Sequence, residues 1–137
     1  MKYLLIAVGL VILTGCRNSK ESNVLNQQLA LIEANATFSL DSLQRDDWNV
    51  CYLIRPYANA DSLLQALKTR NSESALVRNN TQFNDGVTTL LFVKDNRIID
   101  VQTISRKVTD FATLPDSINQ FYPASKLMIN SQREVEE

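Results

Sequence analysis

The sequence predicts a small α+β domain, a single antiparallel sheet of about four strands with helices on one face. Three observations predict it. Residues 87–104 alternate in character on either side of Asp95-Asn96, the pattern of a hairpin closed by a two-residue turn. The run Trp48-Asn49-Val50-Cys51-Tyr52-Leu53-Ile54 is rich in residues that favour strands and carries apolar side chains on both faces. Two further segments, starting near Val24 and Ala60, repeat leucine at helical spacing.

Taken in chain order, Asn23 can cap a helix through Val24 to Ala34. Leu25, Leu29 and Ile32 fall at i, i+4 and i+7 on one face, and Asn35 is a stop. Thr37-Phe38-Ser39-Leu40 alternates polar and apolar, as a short strand does. The strand from Trp48 to Ile54 ends before Arg55-Pro56, because the residue before proline is biased to extended geometry. Apolar groups on both its faces suit a central, doubly covered strand. A second helix spans about Ala60 to Thr69, with Asn59 as its cap, Asp61 in the first turn and Leu63, Leu64 and Leu67 on one face. Residues 70–86 are rich in Asn and Ser and read as a long exposed loop.

The hairpin Val87 to Lys94 and Arg97 to Ile104 follows, its turn made of residues that tolerate positive φ. Ser105 to Asp110 is a polar loop. Pro115 opens a short helix through Gln120, and Ser125 to Asn130 is the last strand. Glu134, Glu136 and Glu137 then read as a solvated, frayed end. No internal repeat or second domain is visible.

Composition narrows the function classes. The chain has 137 residues, 45% of them apolar and 21% charged, ordinary values for a globular protein. Lysine plus arginine number 14 and aspartate plus glutamate 15, so no basic surplus exists to neutralise phosphates and nucleic acid is not expected as a partner. The count of histidines is zero, which removes Ser-His-Asp and Cys-His catalysis and His-ligated zinc. No GxGxxG, P-loop, GxSxG or CxxC pattern occurs. Asn84-Asp85-Gly86 matches only a fragment of a calcium loop, lacking the earlier Asp-x-Asp and the terminal Glu. Neither a metal nor a cofactor is expected.

The first sixteen residues carry the most specific signal. Lys2 is a positive n-region, and Tyr3 to Leu13 is an uncharged apolar run, much shorter than the roughly 20 residues of a spanning helix. It suits the h-region of an export signal. The run ends in Leu13-Thr14-Gly15-Cys16, which resembles the lipobox of bacterial lipoproteins in every position. That resemblance implies cleavage before Cys16 and lipidation of its thiol. The expected organisation is therefore a signal peptide at residues 1–15, a lipidated cysteine and tether at 16–23, and the domain at 24–137. Two or more acyl chains anchor stably where one is marginal. By the sorting rule of enterobacterial lipoproteins, Arg17 rather than aspartate after the cysteine implies the outer membrane, periplasmic side, with the inner membrane as the alternative.

With Cys16 consumed by lipid, Cys51 has no partner inside the chain. Its apolar run reads as burial, in which a free cysteine acts as a small hydrophobe. Three functional readings remain. The first is a non-enzymatic interaction module bound to another envelope protein. The second is an immunity or exclusion lipoprotein against a toxin, phage or plasmid. The third is a small envelope enzyme using Cys51. Trp48 to Tyr57, together with Leu91-Phe92-Val93-Lys94, Arg106-Lys107 and Asp110-Phe111, loosely resembles a group of small bacterial lipoproteins. That group has no assigned activity, so the resemblance brings no catalytic residue. Arg55, Tyr57, Arg106 and Asp110 all leave predicted strand ends and are the candidate partner-facing polar patch.

Overall fold

The computed structural model describes residues 20–44, 47–67 and 84–137. Its elements are α1 (Lys20–Ala30), β1 (Thr37–Phe38), α2 (Leu40–Leu43), β2 (Val50–Ile54), α3 (Asp61–Ala66), β3 (Val87–Lys94) and β4 (Arg97–Ser105). A 3-10 turn at Phe111–Thr113, β5 (Gln120–Phe121), β6 (Leu127–Ile129) and β7 (Val135–Glu136) complete the order.

The architecture corrects the expected single sheet. Among the described residues two antiparallel sheets form, one of four strands in the order β4-β3-β2-β5 and one of three in the order β1-β6-β7. Nor do the helices share one face. Leu25 and Leu29 of α1 pack with Cys51, Leu53, Leu90, Phe92 and Ile104 in one cluster. Leu64 and Leu67 of α3 and its C-terminal turn pack with Ile54, Leu91, Val93 and Ile98 in another. Cys51 and Phe92 are register partners on one face, Tyr52 and Leu91 on the other. Successive strand residues alternate between faces, so α1 and α3 lie on opposite sides of the larger sheet. The physical reason is the doubly apolar character of β2 and β3. Both faces must leave water, and one layer of helices covers only one of them.

The three-stranded sheet completes the cover on the α1 side. Phe38, Leu127, Ile129 and Val135 all join the Leu25–Leu29 cluster. The anticipated first strand therefore exists but pairs with β6 through Thr37↔Met128 and Phe38↔Leu127. Trp48 meets Phe92 edge-on at 5.3 Å between ring centroids, and Phe111 meets Phe121 at 6.2 Å.

Local differences have local causes. Helix α1 starts at Lys20, inside the stretch read as a tether, and stops at Ala30 rather than Ala34. Asn35 takes φ 65° and turns the chain towards β1. Ser39-Leu40 leaves the extended segment for α2. Asn59 accepts the Asp61 amide at 3.0 Å in a local turn, but the N-cap position of α3 is taken by Ala60, which has no side chain to cap with, and α3 reaches Ala66; the far end expected for this helix, and residues 70–83 of the expected loop, lie outside the described residues. The hairpin forms as predicted, with Asp95 and Asn96 at φ 49° and 60°. A bulge shifts the register between Phe92 and Val93, leaving Ile99 out of the pairing and 42% exposed.

No helix forms from Pro115 to Gln120. Ile118 makes one turn back to the Pro115 carbonyl at 2.9 Å, and Asn119 then accepts the Leu53 amide at 2.9 Å, committing the chain to β5. The C-terminus is not frayed either. Val135 is 2% exposed, β7 pairs with β6, and Asp110 bridges to Glu134. Its three glutamates hide the valine that buries the segment. Among the described residues no helix is long and apolar enough to cross a membrane.

Candidate functional site

The register of the larger sheet decides which strand ends share a rim. Ile54 lies opposite Thr89, and Val87 opposite Ser105. The end of β2, the start of β3 and the end of β4 therefore meet at one end of the sheet. Arg55 and Arg106 leave from that end, with β3 between them.

Arg55 is turned inward along the chain that follows the 3-10 turn. Its Nη2 lies 3.0 Å from the Leu114 carbonyl and 2.8 Å from those of Pro115 and Ile118. The guanidinium supplies donors to a segment whose carbonyls have no ladder to join. Its Nε has no hydrogen-bond partner among the described residues, and the exposed Asp116 carboxylate is 3.9 Å away. Tyr57 sits in the turn after Pro56 at φ 60°, a sparsely populated region for an aromatic residue, and is 66% exposed.

Arg106 continues the β3–β4 ladder by donating its amide to Gly86 at 2.9 Å. Its side chain grips Asp110 in fork geometry, Nε to Oδ1 at 3.0 Å and Nη2 to Oδ2 at 2.9 Å. Nη1 adds the Asp85 carbonyl at 3.0 Å. The Asp110 hydrogen bond pushes the Arg106 guanidinium above its ordinary value. Asp110 has two further tasks. Its Oδ1 accepts the Ala112 amide at 2.9 Å, capping the 3-10 turn. Its backbone accepts from Val135 and donates to the Arg133 carbonyl, fastening the C-terminal strand.

The structure thus brings Arg106 and Asp110 into contact and places Arg55 at the same sheet end. Three of the four patch residues spend their polar groups on the protein itself; Tyr57 is the one presented to solvent. Cys16 lies outside the described residues.

Two polar arrangements escaped the sequence reading. Arg133, at φ 67° in the β6–β7 hairpin, reaches the Leu29 and Ile32 carbonyls at 2.6 Å each and that of Val108 at 3.0 Å. It closes the C-terminal end of α1, where a cation complements the helix dipole. Its only sequence signal is position, since the left-handed site in such a hairpin usually calls for glycine. At the sheet edge, Gln44 and Gln102 both donate to Asp100 Oδ2 at 2.7 Å. Next along β4, the Asn26 amide donates to the Thr103 carbonyl at 2.8 Å and accepts the Ser105 amide at 2.9 Å. One side chain there does the work of a neighbouring strand and blocks an open edge.

Cys51 is fully buried, with Phe92 and Phe121 opposite it on the neighbouring strands. Burial pushes its thiol well above the ordinary value, so it is protonated at neutral pH. Among the described residues no group of three or more His, Cys, Asp or Glu side chains converges to hold a metal ion. Asn84 Oδ1 accepts the Gly86 amide at 2.9 Å, so the fragment of a calcium motif serves as a turn. Set against family models, curated proteins and solved structures, the chain has no match.

Proposed function

We propose that this chain is a lipid-anchored lipoprotein of the bacterial envelope, held by Cys16 to the periplasmic face of the outer membrane, where its domain binds another envelope protein without catalysing a reaction. The observation that carries the reading is the complete lipobox Leu13-Thr14-Gly15-Cys16 behind a short uncharged h-region. The thiol at that position takes up the diacylglyceryl group, and Arg17 favours release to the outer membrane. The burial of Cys51 weighs against the thiol-enzyme alternative, because the thiolate is the nucleophile and desolvation suppresses it. The reading calls for no cofactor, metal or nucleic acid.

The test is metabolic labelling with a radioactive fatty acid, followed by separation of inner and outer membranes. Label should enter the wild-type chain in the outer-membrane fraction and be absent from Cys16→Ser, which should accumulate as the unprocessed form. Continued incorporation in the variant overturns the lipoprotein reading. Label confined to the inner membrane overturns the localisation alone.

A further inference from the structure

We infer that α1 lies against the lipid surface itself, with Val24 and Leu31 touching the bilayer, so that the face carrying α3 is held away from the membrane. The inference rests on the lipoprotein reading and adds an orientation to it.

The exposed apolar residues of the helix are unevenly placed. Leu25, Leu29 and Ile32 face the core. Asn26 faces the edge of β4. On the flank turned away from Asn26, Val24 is 51% exposed and Leu31, immediately beyond the helix, 83%. The two are seven residues apart, two helical turns, and so lie in line. Leu31 is the most exposed large apolar side chain among the described residues. Nothing among the described residues covers this stripe.

Chain length names the occupant. Cys16 precedes the start of α1 at Lys20 by four residues, a reach of at most about 14 Å even when fully extended. Val24 is one further helical turn along. The sequence between the lipid and Val24 carries two cations, Arg17 and Lys20, against one acid, Glu21. A short leash with a positive balance keeps this helix beside anionic headgroups. Two apolar side chains would bind a bilayer weakly from solution. Here the lipid makes the contact intramolecular, at a local concentration in the millimolar range, and a weak contact suffices.

The experiment uses the full-length lipidated protein in vesicles of phosphatidylethanolamine and phosphatidylglycerol. An environment-sensitive fluorophore is attached to Leu31→Cys or, as the control, to Ser62→Cys on the exposed side of α3. Cys16 is blocked by lipid and Cys51 by burial, so each variant offers one reactive thiol. The Leu31 probe should emit at shorter wavelength and lose intensity when the vesicles contain headgroup-labelled nitroxide lipid; the Ser62 probe should do neither. Protein that floats with the vesicles while the Leu31 probe behaves like the Ser62 probe overturns the orientation and leaves the anchor intact. A shortened wavelength without nitroxide quenching also overturns it, since a second protein then covers the stripe. Protein that fails to float overturns the lipoprotein reading and the orientation with it.

Discussion

Replacing Arg133 with alanine should loosen the join between the two ends of the folded chain. Arg133 donates to the carbonyls of Leu29, Ile32 and Val108 at 2.6, 2.6 and 3.0 Å. Hydrogen bonds from a charged donor are each worth about 1.5–3 kcal/mol net, and partial exposure brings these to the low end or below, roughly 1 kcal/mol each. The loss should therefore be about 3 kcal/mol, or a fall in Tm on the order of 10 °C for a domain of this size. Urea unfolding of the chain begun at Arg17 measures it. Two companions separate the causes. Arg133→Lys keeps the charge but lacks the fork that serves three carbonyls, and should lose about half as much. Arg133→Gly removes the donors yet relieves the left-handed backbone, where φ is 67°, so it should be more stable than the alanine variant by about 1 kcal/mol. A loss below about 1 kcal/mol in Arg133→Ala would refute the role given to these contacts, because water would then serve the carbonyls equally well.

Leu91 is fully buried between the strands under α3, and Leu91→Ala should cost about 2–5 kcal/mol in the same assay. The Cys51 thiol should react slowly with maleimide in the folded protein and quickly in urea. Its folded value lies above the ordinary 9.0, so the unfolded chain releases the proton first; stability should hold through neutral pH and fall as pH rises past that value, less so in Cys51→Ala. Asp110→Ala should lose about 1–2 kcal/mol, for the capping bond to Ala112 goes with the ion pair. Arg106→Ala should lose less, since its side chain is 37% exposed and solvent screens the pair.

The parts of the fold legible in the sequence are those whose signals are local. Asp95-Asn96 sets the hairpin turn by backbone tolerance alone, and the alternation on either side sets its strands. The doubly apolar run of β2 announced a central strand, and it stands between β3 and β5. That observation also contained the error in the fold class. A strand apolar on both faces needs a cover on each side, yet the helices were assigned to one. The second sheet was illegible for a different reason. Two of its strands, Thr37–Phe38 and Leu127–Ile129, fall inside segments that read as extended, but strands of two or three residues carry no signal of which partner they take, and their pairing with each other and with β7 is fixed by long-range contact. Val135, flanked by glutamates, carries no strand signal of its own; its burial follows from Asp110 and Arg133 arriving beside it.

The polar patch was legible as a place but not as a set of roles. Arg55, Tyr57, Arg106 and Asp110 were chosen because charged and aromatic residues leave strand ends, and three of them belong to one rim. Residues of the same types at the same positions serve equally to satisfy a protein's own backbone, and what separates the two uses is where unpaired carbonyls lie. The carbonyls under Arg55 belong to residues about sixty positions later, and two of the three under Arg133 to residues about a hundred earlier. No local pattern encodes such a meeting. Tyr57 shows the converse. A polar side chain becomes available to a partner only when the chain has no use for it, and this ring, raised on a left-handed turn and 66% exposed, makes no hydrogen bond or ion pair among the described residues. Aromatic side chains of that kind supply much of the binding energy at protein interfaces. Tyr57→Ala should therefore weaken capture of a partner without changing the urea midpoint, whereas substitutions of Arg55, Arg106 and Asp110, which are spent on the carbonyls of Leu114, Pro115, Ile118 and Asp85 and on one another, should act on stability.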